Sequence, residues 1–381
     1  HIPVVILEKG DRGLRKVKIS GGGRCNVTHH PYQVRDFLKH YPRGERELIS
    51  PFMRFHAQNT IDWFYQRGVE LVEEEDGRIF PASNDSQTII DCFEKEKKRL
   101  GIETYYKSPL QSISKEGETF ILDCGRDKLE ASQVIIATGS DRSGYELVQK
   151  SGHKLSEMAP SLFTFKVKSP LLKNLQGTSF EEVKVSMKVE GKKFEQTGPL
   201  LITHWGLSGP AILKLSAWAA RELKRVNYRF DFTVNFVGLK QDEFANMLLA
   251  KKEQSPKKTL PNIIYKGLTR NFWSQFLEVE FSNIINKKWG ELSKREINKI
   301  AELLTQYSFS STGSHRFKEE FVECGGIHSK EDNFKTMESL ILPGVFFAGE
   351  LLDVDGITGG FNFQNCWSTG FLAGENAARK I

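Results

Sequence analysis

Hydrophobic and polar positions change rhythm three times along this chain. The opening "HIPVVILEKG" is a continuous β-rich apolar run closed by Glu8 and Gly10, the pattern of a parallel strand buried on both faces. "NTIDWFYQRGVELV" predicts a short helix capped by Asn59 and ended near Gly68, then a strand. In the next segment Asp85 or Ser86 can cap a helix on which Ile89, Ile90, Phe93 and Leu100 fall at helical spacing. Gly101 stops that helix, and "IETYYK" is the strand after it. "QVIIATGS" (133–140) is another buried strand ending in a turn. Strands alternating with helices predict an α/β fold, a Rossmann-like parallel sheet covered on both faces.

After Pro160 the period becomes two, with turn residues every 8 to 12 positions, which predicts an antiparallel sheet or small barrel. From Gln241 to about Tyr307 the pattern is helical. The α/β rhythm then returns in "LILPGVFFAGELLDVDGITGG", followed by a last helix from about Gln364 to Arg379. The expected organisation is a nucleotide-binding domain in two parts, 1–160 and 311–381. It is interrupted by a β-rich domain at 161–240 and a helical subdomain at 241–310.

Composition narrows this picture only a little. The 381 residues are 39% hydrophobic, ample for packed cores, and no apolar run approaches the roughly 20 residues that span a bilayer. A net charge of +6 suits a phosphate-bearing partner and an ordinary lysine-rich surface equally. The five cysteines are scattered, which excludes a CxxC redox pair and predicts free thiols in a reducing, cytoplasmic setting. Histidines and cysteines lack metal-ligand spacing, so no metal site is expected.

The candidate chemistry lies in the glycine-rich stretches. "SGGGRCN" places Gly21, Gly22 and Gly23 where positive φ and close approach of a ligand to bare amides are permitted. Ser20, Cys25 and Asn26 flank them, and Arg24 adds a planar fork of donors suited to pyrophosphate or an anionic ring edge. Glu8, with Lys9 beside it, sits where a dinucleotide fold binds a ribose; read alone it is a solvated strand-end acid. The G-x-G-x-x-G turn expected about 20 residues before such an acid does not precede it here, so that strand and loop are taken as missing from the sequence. Ala137, Thr138 and Gly139 form a tight strand exit, and Gly349 and Glu350 form another. Gly359, Gly360 and Phe361 then lead to Asn362, an expected N-cap, at the positive end of the last helix. Arg24 and that helix end are the candidates for stabilising the N1/O2 edge of a reduced flavin. For a proton donor, His29 and His204 are the available imidazoles.

"ISGGGRCNVTH", "GRIFPASNDSQTIIDCF", "IIATG", "LLITHWGLSGPAILKLS", "GVFFAGELLDVDG" and "TGGFNFQNCWSTGFLAG" together resemble the BaiN/RdsA-type NAD(P)/FAD-dependent oxidoreductases, the HI0933-like flavoproteins. The resemblance covers nearly the whole chain. It implies an FAD-binding domain of the glutathione-reductase type, interrupted by a β-barrel and a helical subdomain. It also implies tightly bound, non-covalent FAD, NAD(P)H as donor, and reduction of a C=C conjugated to a ketone in a small-molecule substrate. Carried over by motif, Glu8 is the ribose acid, Gly21 to Asn26 the flavin-proximal loop and Leu110 a backbone contact to adenine. Ala137 to Gly139, Gly349 with Glu350, and Gly359 to Asn362 complete the cradle. Two other readings stand beside this one. An RNA-associated flavoprotein would use the basic stretch 251–270, which also reads as a solvated helical surface. A flavin-binding sensor without turnover would share the same cradle.

Overall fold

The computed structural model of the chain describes residues 2–125, 127–262, 265, 267–315 and 322–381. His1 of the first predicted strand, Ile263, Ile264 and Lys266 of the helical and basic stretch, and residues 316–321 lie outside the described residues. Two units are distinguished: His1–Ala159 with Phe317–Ile381, and Pro160–Arg316.

In the first unit, β1 (Val5–Glu8) leads to α1 (Arg15–Ile19), the glycine loop, and β2 (Thr28–His29). Helix α2 (Ala57–Tyr65) is capped by His56, not Asn59; Asn59 is instead the third helical residue, and its side chain returns a hydrogen bond to the His56 N–H at 3.0 Å. Strands β3 (Leu71–Glu73) and β4 (Arg78–Pro81) pair with each other, and β4 pairs with β2. Helix α3 (Gln87–Leu100) ends at Gly101, whose φ of +67° is the left-handed cap read from sequence. β5 (Glu103–Tyr106) lies parallel to β1 in the register Val5↔Glu103 to Glu8↔Tyr106. β6 (Ser112–Glu116), β7 (Thr119–Asp123) and β8 (Lys128–Ala131) form an antiparallel meander before β9 (Val134–Ile136) and α4 (Arg142–Lys150).

The second unit contains a closed six-stranded barrel. Its staves are β10 (Thr164–Val167), β11 (Ser179–Val189), β12 (Lys192–Ile202), β13 (Gly206–Ser208), β14 (Arg229–Asn235) and β15 (Tyr307–His315). Alternation makes the barrel: on β11, Val183, Val185, Met187 and Val189 are buried while Lys184 and Lys188 between them are exposed. Helices α5 (Pro210–Trp218), α6 (Gln241–Gln254), α7 (Arg270–Glu280) and α8 (Lys294–Thr305) precede the closing stave β15. Phe236, Phe272, Phe276 and Trp289 join barrel and helices in one core.

Back in the first unit, β16 (Asp332–Asn333), β17 (Glu338–Ser339) and β18 (Val345–Phe347) end in a four-stranded sheet with β9 at its edge. β18 and β9 are parallel, Phe346 opposite Ile135. Helix α9 (Phe361–Ala378) closes the chain. Two strands predicted as buried on both faces are not: Val4, Val5 and Ile6 are 48, 46 and 39% exposed and Ile135 is 44% exposed. On β9 one face is covered and one is not, with Ile135 exposed between buried Val134 and Ile136, and among the described residues β1 pairs with β5 alone and β9 with β18 alone.

Candidate functional site

The glycine loop is held from below and open above. Gly22 and Gly23 have φ of +67° and +85°, and an added Cβ at either would meet nothing within 4 Å. Ser20 anchors the turn: its hydroxyl donates to the Val17 carbonyl at 2.9 Å, and its own carbonyl accepts the Cys25 N–H at 3.0 Å. Cys25 is buried, and desolvation pushes its thiol up to about 11, so it is neutral and packs as a core residue. Arg24 turns its fork to Glu74 at 2.5 Å and Asn84 at 2.7 and 2.9 Å, over the Phe80 ring at 4.0 Å. Its Nε and Nη2 donors are therefore engaged within the protein.

Asn26 joins this loop to the last helix. With its amide oriented so that the oxygen faces Gly360, it accepts the Gly360 N–H at 3.0 Å and donates to the carbonyls of Thr28 at 2.8 Å and Ile79 at 3.2 Å. Gly360, at φ +91°, is the N-cap of α9, and a Cβ there would lie 2.4 Å from the Thr28 carbonyl oxygen. This corrects the expected cap. Asn362 is the second helical residue, and its amide bonds both the N–H and the C=O of Gly356, at 2.8 and 2.9 Å. No side chain caps α9, so its first-turn N–H groups remain available as donors. His29 is buried, with Nδ1 2.9 Å from the Gly359 carbonyl and its ring 4.6 Å from that of Phe361.

The remaining predicted segments meet at Glu350. A Cβ on Gly139 would lie 3.7 Å from its Oε2, and Lys16 on α1 reaches both Glu350 Oε2 at 2.5 Å and Ser140 Oγ at 2.7 Å. Gly349 precedes it, with N–H donated to Thr369 Oγ1 at 2.9 Å. Its neighbour Cys366 is half-buried, and desolvation pushes its thiol up to about 12. Ala137 and Thr138 are exposed on the exit of β9. At the end of β1, Glu8 Oε1 accepts the Gly10 N–H at 2.6 Å and Lys9 pairs with Asp141 at 2.9 Å. Ser108 N–H bonds the Glu8 carbonyl at 3.0 Å, and half-buried Leu110 follows two residues on. His204 lies in the second unit, exposed on the turn between β12 and β13.

Sequence reasoning missed Lys16, which has no local signal because its partner is 334 residues away. It also missed a buried polar set beneath α9. Gln364 Oε1 accepts from Thr28 at 2.6 Å and Thr60 at 3.0 Å, and its amide donates to Ser368 at 3.0 Å. Asn365 is fully buried with both amide atoms unpartnered.

These features fit a dinucleotide. Bare, open backbone at Gly22 and Gly23 leaves room for a flat ring system or pyrophosphate, and the uncapped helix end supplies N–H donors to an anionic edge. An α/β unit with such a loop and helix end is a Rossmann-type flavoprotein. The HI0933-like protein Rossmann domain model matches residues 1–376, and the chain belongs to that family of flavoprotein oxidoreductases. Two curated relatives match almost end to end. Ribosomal RNA dihydrouridine synthase of Escherichia coli is 26% identical over 383 residues, 98% of this chain and 91% of that protein. The 3-dehydro-bile acid delta(4,6)-reductase of Clostridium scindens is 26% identical over 388 residues, 99% and 93% of the two chains. Among solved structures, the open conformation of a flavocytochrome c3 fumarate reductase is similar over 99% of this chain and 78% of that one, with TM-score 0.41 and 13% identity. No described helix is long and apolar enough to cross a membrane.

Proposed function

We propose that this chain binds FAD tightly and non-covalently, takes electrons from NADH or NADPH, and reduces a C=C conjugated to a carbonyl. The observation that carries this reading is the Asn26 bridge, which ties the open glycine loop to the uncapped start of α9. The relatives' names point the same way. Dihydrouridine is uridine with its ring C=C saturated, and a delta(4,6)-reductase saturates C=C bonds.

Bound FAD would supply hydride transfer from its N5 position. The chain's own groups do the rest. Glu8 keeps Oε2 for ribose hydroxyls while Oε1 holds Gly10. The amides of Gly22 and Gly23 line the ring or pyrophosphate, and the first-turn N–H groups of α9 stabilise negative charge on the pyrimidine edge. Lys16 fixes Glu350 at the strand exit. Arg24, engaged by Glu74 and Asn84, holds the loop's shape. His29 positions Gly359.

The test is an absorbance spectrum of the purified protein before and after anaerobic NADH or NADPH. Flavin bands near ~370 and ~450 nm that bleach with one nucleotide, and return on adding an enone or a uracil nucleotide, are expected. A flavin that stays oxidised with both nucleotides would favour a sensor. No flavin, even after added FAD, would end the reading.

A further inference from the structure

Burial sets one tryptophan apart from the rest. Of the six in the chain, Trp205 alone is exposed, at 45%, while the other five are buried or half-buried. It is also held in place. Its N–H donates to Thr203 Oγ1 at 3.3 Å, and its carbonyl accepts the Val167 N–H at 3.1 Å. Its ring stacks on the imidazole of His315, with centroids 4.0 Å apart and planes 14° apart. The turn around it is closed by Thr203, whose N–H donates to the Gly206 carbonyl at 2.8 Å. Aromatic surface that is exposed and already rigid loses little entropy when a ligand lies on it.

The register of the barrel sets cations beside this stack. Phe165 on β10 points into the core, so Lys166 faces outward. Lys166 is paired with Gly206 on β13 and with Gly313 on β15, so neither flanking strand puts a side chain next to it. Trp205 adjoins the first of these glycines, and His315 is two residues beyond the second. A Cβ on Gly206 would lie 2.3 Å from the Phe165 carbonyl, so the barrel itself requires that glycine. A Cβ on Gly313 would meet only Lys166 Cδ, at 3.9 Å, so the notch there is open. Lys168, just past the end of β10, is exposed, and neither it nor Lys166 makes an ion pair with any described residue.

A flat ring for stacking and ammonium groups without carboxylate partners, beside an open notch, suit a ligand that carries both an aromatic base and a pyrophosphate. One exposed ring and two such lysines match a single dinucleotide, not an extended polymer. The nicotinamide end of a dinucleotide donor must stay free to give its hydride, so the adenosine end is the part that a fixed stack can hold.

We propose that Trp205 stacks on the adenine of the nicotinamide dinucleotide, with its pyrophosphate on Lys166 and Lys168. That the ligand is the donor rests on the reading that NADH or NADPH supplies the electrons; an adenosine diphosphate site on this face does not.

The experiment is calorimetric titration of the full chain, supplemented with FAD, with ADP-ribose, which carries adenine and pyrophosphate but cannot reduce a flavin. Flavin content of every variant is read from its absorbance, so entry of ADP-ribose into an empty FAD cradle is recognised. Trp205→Ala is expected to weaken binding about tenfold or more, and Trp205→Phe to stay within about threefold of wild type. Lys166→Gln/Lys168→Gln should lose about tenfold and flatten the salt dependence of what remains. Lys257→Gln/Lys258→Gln, an equal charge change elsewhere in the same unit, should alter affinity less than about twofold. If Trp205→Ala misfolds, Trp205→Leu and the lysine pair carry the comparison. Wild-type affinity in a folded Trp205→Ala protein, equal loss in the two lysine pairs, or no ADP-ribose binding by wild type would each overturn the proposal. Anaerobic bleaching of the flavin by NADH or NADPH is followed on the same samples. Bleaching without an ADP-ribose site sinks the site and leaves the donor reading; ADP-ribose binding without bleaching does the reverse.

Discussion

Lys16 Nζ lies 2.5 Å from Glu350 Oε2, linking the helix before the glycine loop to the exit of β18. The Glu350 side chain is only 12% exposed, and Lys16 is its ion-pair partner. Lys16→Met is expected to weaken FAD retention about tenfold, roughly 1.4 kcal/mol, with Lys16→Arg restoring much of it. The readout is flavin absorbance remaining after ultrafiltration. Retention unchanged in the Met variant would show that the pair has no part in the cradle.

The glycines divide into two kinds. Gly22→Ala meets no protein atom and bears only backbone strain, on the order of 1 kcal/mol. It should fold and melt near wild type while losing flavin. Gly360→Ala places a methyl 2.4 Å from the Thr28 carbonyl and should lower the melting temperature before any ligand is added. Paired melting curves and flavin-to-protein ratios distinguish them; a Gly22→Ala protein that keeps its flavin would contradict the open-loop reading.

Arg43 and Asp355 form a buried pair, 13 and 1% exposed, with Nε donating to Oδ1 at 2.6 Å. Arg43→Met removes this guanidinium from a buried carboxylate and should cost about 3–5 kcal/mol in urea unfolding. A loss below 1 kcal/mol would mean that the pair is not insulated from water.

Asp332 gives a pH dependence of definite sign. It is buried, neither carboxyl oxygen has a partner among the described residues, and desolvation raises it to about 8. The folded state thus holds a proton that the unfolded chain releases near its ordinary value of 3.8. Its contribution is full below that value and is lost as pH rises through about 8. Asp332→Asn should flatten the decline in melting temperature between pH 5 and 8. An unchanged slope would refute it.

Much of the fold follows from period alone. Alternation on β11 announced a barrel wall, Gly101 ended α3, and the returning apolar run before Gly349 is the strand β18. The helix caps were less legible, because His56 caps with a ring nitrogen that accepts the Gln58 N–H at 3.2 Å, an unusual capping side chain, and Gly360 acts through a backbone φ of +91°. Arg24 carries a donor set that sequence reads correctly, but its direction is decided by Glu74 and Asn84.

By itself the sequence determined the element types, the glycine-rich segments and the family, since these depend on local spacing and residue chemistry. Only the tertiary structure decided that Asn26 meets Gly360 and that Lys16 meets Glu350. It likewise stacked Trp205 on His315. Each of these joins residues far apart along the chain, and such encounters are set by packing and strand register, which no local pattern specifies.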